Sequence, residues 1–63
     1  MPHSQELMSA LLWNVKHRDG QRTLAAHVSD CMARNEAIRN ARRYQRNIDQ
    51  LNNQLRQLDA QIH

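Results

Sequence analysis

The sequence predicts an all-α fold: a helical hairpin with a long, coiled-coil-like C-terminal helix, assembled as a homodimer. Three observations carry that expectation. Over residues 41–62, apolar side chains recur at alternating gaps of three and four, which is a heptad seam. Between Cys31 and Ile62 there is neither Gly nor Pro, so nothing in the sequence interrupts a helix there. Finally, 63 residues with one cysteine make a single small domain that has no internal disulfide and buries little surface alone, so association is expected to supply the rest.

The chain opens on a short lead-in, with Ser4 as the natural N-cap of a first helix and Glu6 where the helix dipole favours an acid. Leu7, Met8, Leu11, Leu12 and Val15 follow at i, i+1, i+4, i+5 and i+8, a wide stripe suited to a packed core. Trp13 lies off this stripe and either shields the helix edge or contacts a partner. Together these six residues are the candidate helix-packing and partner-cleft surface. Lys16, His17 and Arg18 suit a last turn, and Asp19 and Gly20 supply a stop, so the first helix is expected over residues 4–17.

Residues 21–28 allow two conformations. Leu24 and Val28 fit a helical face that Thr23 caps, and the Ala25–Ala26 pair favours helix. Arg22, Leu24, Ala26 and Val28 also alternate with their neighbours as a short half-buried strand would, and such a strand would have to pair across the dimer. Ser29 or Asp30 would then cap a later helix. The favoured expectation is a second helix over residues 23–62.

In that helix the a positions are Ala41, Ile48, Leu55 and Ile62, and the d positions are Tyr44, Leu51 and Leu58. The seam spans about 33 Å, whereas a first helix of about 13 residues reaches about 20 Å, so these seven residues are the expected dimer interface. Upstream the register puts Arg34 at a and Asp30 at d, while Cys31, Met32, Ala37 and Ile38 are the apolar residues, so a change of packing partner is expected near Ala41. Amides crowd the flanks, with Asn40, Asn47, Gln54 and Gln61 at g and Gln45 and Asn52, together with Asp59, at e. These flanks carry little charge code for parallel against antiparallel pairing.

Nine Lys and Arg against six Asp and Glu leave a net charge of +3, which suits nucleic acid or an acidic protein partner. Arg39, Arg42, Arg43 and Arg46 form a basic face opposite the seam, and their planar forks fit phosphate. The alternative is a solvated face with Glu36–Arg39 and Arg46–Asp49 ion pairs. This segment departs from the basic region of leucine-zipper factors, which sets small residues three and four positions after its asparagine. Here Ile38 and Arg39 follow Asn35 at those places.

Cys31 has no base partner in view and reads as a small buried hydrophobe; His17 and His27 are expected near the turn. The four histidines and the cysteine show no zinc-ligand spacing, and no phosphate loop, paired acids or triad appears. An enzyme, a metal, a cofactor and a small-molecule substrate are therefore not expected. Neither is a membrane span, which needs roughly 18 apolar residues, nor a signal peptide.

In its size, its predicted helix content and its lack of any housekeeping motif, the whole chain resembles the small early accessory proteins of temperate lambdoid bacteriophages, including those encoded between the exonuclease and excisionase genes. That resemblance implies a dimeric helical regulatory protein, made early in infection and working in the bacterial cytoplasm. Such a protein alters host physiology or lytic development by binding a host protein. The competing expectation is a nucleic-acid-binding dimer that uses the arginine face.

Overall fold

A computed structural model describes residues 2–62, with side chains described for residues 4–60. Ile62, expected on the seam, has its side chain outside the described residues, as do His3 and His63. The chain forms two helices, α1 (Pro2–His27) and α2 (Cys31–Ile62), packed against each other as a hairpin. Among the described residues there is no strand, so the alternative of a connector strand does not form.

The boundaries differ from expectation in three ways. Helix α1 begins at Pro2, whose fixed φ suits the first helical position, so Ser4 lies inside the helix rather than capping it. It does not stop at Asp19 and Gly20 but runs ten residues beyond His17. Gly20 keeps a negative φ, and the full penalty for a glycine in a helix interior is only about 1 kcal/mol relative to alanine. Residues 21–27 are helical as favoured, but they belong to α1; Thr23 caps nothing.

The turn forms where the capping chemistry is strongest. Val28, Ser29 and Asp30 connect the helices. The Asp30 carboxylate accepts the Ala33 N–H at 3.2 Å, and its carbonyl accepts the Arg34 N–H at 3.0 Å, which makes it the N-cap of α2. The Arg34 guanidinium turns back and donates to the Val28 carbonyl at 2.8 Å, tying the connector to the new helix.

Helix α1 has 26 residues, about 39 Å at 1.5 Å per residue, against about 48 Å for the 32 residues of α2. Running back from the connector, it covers most of the seam but leaves about six residues at the C-terminal end of α2 beyond it. The expectation of a first helix of about 13 residues is thereby corrected, and most of the seam is covered by α1 of the same chain. Leu7, Ala37, Ala41 and Ile48 form the buried apolar core, and Tyr44, Leu51, Leu55 and Leu58 are half-buried beside them. Nor does the stripe change face above Ala41. Ala37, at the next d position, is the most buried side chain described at 1% exposure, while Ile38, Met32 and Cys31 are exposed. Cys31 is thus a surface residue at the first position of α2, not a buried hydrophobe. Among the described residues no helix is long and apolar enough to cross a membrane.

Candidate functional site

The inner face of α1 is assembled from unlike residues. Leu7, Leu11, Asn14, Arg18, Gln21 and Ala25, with Val28 just past the helix end, are all buried or half-buried and follow one another at gaps of four and three. Three of the seven are polar, and each of those meets a polar group on α2. The Asn14 amide donates to the Ala10 carbonyl one turn back at 2.7 Å and accepts from Asn47 at 3.2 Å. Arg18 donates to the Gln45 side chain at 2.9 Å, and its guanidinium also holds Asp19 at 2.9 Å. Asn40 donates to Gln21 at 3.4 Å. Asn14 is only 7% exposed, yet no buried side-chain N or O among the described residues lacks a hydrogen-bond partner. The step of seven residues from Asn14 forward to Gln21 matches the step of seven from Asn47 back to Asn40, with Arg18–Gln45 between them, so the polar rungs mark an antiparallel register.

Two flanks border this seam. On one, Met8, Leu12 and Val15 stand at i, i+4 and i+7; Met8 and Leu12 are exposed and Val15 is half-buried. The wide stripe expected from the sequence is therefore buried only on its Leu7–Leu11 side. On the other flank, His17 is not near the turn but mid-helix, stacked on Trp13 with ring centroids 3.8 Å apart. Its Nδ1 faces the Trp13 carbonyl oxygen at 2.8 Å, and since that oxygen only accepts, Nδ1 carries the proton. Tyr44 of α2 closes the cluster, edge-on to Trp13 at 5.8 Å and tilted to His17 at 5.7 Å.

No family model, curated protein or solved structure matches this chain. What the site can do therefore rests on its own chemistry. Arg39, Arg42, Arg43 and Arg46 are all exposed. Neither the Glu36–Arg39 nor the Arg46–Asp49 ion pair forms, and Asp49 instead accepts from Gln45 at 3.0 Å, so the four guanidinium groups have no acid partner among the described residues. They do not share one face evenly. Asp30, Met32, Glu36, Arg39, Asn40, Arg43 and Arg46 are among the residues that line one shallow groove along α2, and Arg42 is not. Asn40 joins the groove to the inter-helix rungs, which places three arginines on the flank that carries the aromatic cluster.

Among the described residues, no three His, Cys, Asp or Glu side chains come together as a metal site would need. Sequence reasoning missed His17 as part of an aromatic cluster, and it missed Asn14, Arg18 and Gln21 as inner positions. A signal was present: their heptad spacing from Leu7 and Leu11 is regular. It is hidden when only apolar residues are counted.

Proposed function

We propose that this chain is a non-enzymatic regulatory interaction protein that works as a homodimer of hairpins and acts on a protein of the bacterial host, in the manner of the phage early accessory proteins it resembles. The observation that carries this reading is surface left uncovered. The chain exposes 5128 Å² at 7.4 kDa, whereas a compact monomer of that mass exposes about 4200 Å². The surplus, about 900 Å² per chain, is the area that one partner of a standard interface buries. Met8 and Leu12, 46% and 64% exposed, fall within it, and a second copy laid along that flank makes a four-helix arrangement whose clefts receive an apolar segment of a host protein. The test is light scattering with far-UV circular dichroism over a dilution series. A concentration-dependent dimer is expected; a stable helical monomer at micromolar concentration would sink the proposal.

A second reading, nucleic-acid binding, is favoured by the arginines, which lack the ion pairs that a merely solvated face would make. In that reading Arg39, Arg42, Arg43 and Arg46 meet phosphates, and the affinity falls steeply with salt.

A further inference from the structure

We propose that the flank shared by Trp13, His17, Arg39, Arg43 and Arg46 is a binding site for single-stranded nucleic acid, with bases stacking at Trp13 and phosphates held along the arginines. This rests on the nucleic-acid reading above and supplies what that reading lacks, a group to receive the bases.

Two independent features converge on one side of the hairpin. The first is the aromatic cluster. Trp13 is 53% exposed, unusual for the largest side chain of a chain with so small a core, yet it is held in place. One face rests on His17, an edge meets Tyr44, and the Nδ1–H of His17 ties the imidazole to the carbonyl of Trp13 itself. An aromatic ring fixed in this way loses little conformational freedom when a base stacks on it. The second feature is the groove along α2, in which Arg39, Arg43 and Arg46 recur at gaps of four and three; Asp30 and Glu36 also line it, but neither forms an ion pair with the arginines. Arg39 and Arg46 lie about 10 Å apart along the axis, a row of cations rather than a point. Asn40 and Asn47, half-buried and bonded across to Gln21 and Asn14, lie between the row and the rings.

A cationic track beside a stacking platform is the chemistry that holds single strands, because every base offers a π-face and every nucleotide a phosphate. A duplex meets only half of it. Its bases are already stacked on one another, and Trp13 would have no face to accept.

Trp13 is the sole tryptophan, so its fluorescence reports the stack directly. Uridine and thymidine 20-mers and a 20-base-pair duplex would be titrated into the full chain at about 50 and 200 mM salt, with anisotropy of labelled oligonucleotide as a second readout. Both single strands are expected to bind and quench Trp13, and the duplex to bind more weakly without quenching. Trp13→Ala should weaken single-strand binding about 5- to 150-fold by anisotropy, with Trp13→Phe retaining part of it. Arg39→Ala, Arg43→Ala and Arg46→Ala combined should reduce the slope of log affinity against log salt by about 2. All these side chains are exposed, and circular dichroism checks that each variant stays helical. Duplex binding as tight as single-strand binding, with Trp13 fluorescence unchanged and Trp13→Ala without effect, would overturn the stacking site while leaving phosphate contact standing. No binding of any strand at the lower salt would remove both.

Discussion

Gly20 lies in the interior of α1, on the surface, with negative φ and nothing within 4 Å of where a Cβ would be. Alanine there adds helix propensity and restricts the unfolded chain at no steric cost. Gly20→Ala should stabilise the fold by about 0.5–1 kcal/mol, raising the thermal midpoint by several degrees in a circular dichroism melt. A lowered midpoint would mean that the chain turns at Gly20, as its local sequence suggests. Asp30 gives the opposite case. Its carboxylate is the cap bonded to the Ala33 N–H, and Asp30→Ala should cost about 1 kcal/mol in urea unfolding, while Ser29→Ala should change little. Equal losses would show that the cap is shared or lies elsewhere.

At the scale of the helices, what needs explaining is that the apolar seam of α2 packs on an inner face of α1 that is polar in its middle. Asn14, Arg18 and Gln21 contribute less burial energy than leucines would, but their partners Asn47, Gln45 and Asn40 stand opposite in one register only. A single buried asparagine can specify register in this way at a cost in stability. Asn14→Ala should destabilise the hairpin by about 1–3 kcal/mol, and a double-mutant cycle with Asn47→Ala should return a coupling above about 0.5 kcal/mol. Strict additivity in urea unfolding would deny the pair that role. Nearer the connector the helices meet through small residues, with Ala37 buried and Ala25 and Ala33 half-buried. Ala37→Leu should therefore overpack the contact and cost about 1–3 kcal/mol rather than fill a void.

The whole molecule is a rod of 49 × 15 × 12 Å with a radius of gyration of 14.6 Å, where a compact chain of this length would have about 10.6 Å. A two-helix rod has no third layer, so each helix turns most of its circumference to water. That shape explains why Met8, Leu12, Trp13, Leu24 and Met32 are exposed together, and why a second copy is the economical way to cover one flank. Leu12→Asp places a charge in the proposed dimer contact but outside the hairpin seam. It should abolish the concentration dependence of the thermal midpoint and leave a less stable, still helical chain, read by circular dichroism melts at several concentrations. A wild-type-like concentration dependence would place the contact on another face.

The existence of two helices and the seam Ala41, Tyr44, Ile48, Leu51, Leu55 and Leu58 could be read from the sequence because those residues are apolar, regularly spaced and free of breakers. So could the arginine-rich character of the outer surface of α2, and Asp30 as a possible cap. The end of α1 could not, because a local stop at Asp19–Gly20 is worth about 1 kcal/mol and the packing of residues 21–28 along α2 outweighs it. The inner face of α1 was hidden because burial there depends on partners. Asn14, Arg18 and Gln21 are tolerated inside only when Asn47, Gln45 and Asn40 arrive opposite, and periodicity within one helix carries no information about the helix it will meet. For the same reason only the tertiary structure decided that Trp13 and His17 share a flank with Arg39, Arg43 and Arg46. That juxtaposition depends on the antiparallel register, which the three-residue turn and the polar rungs set together.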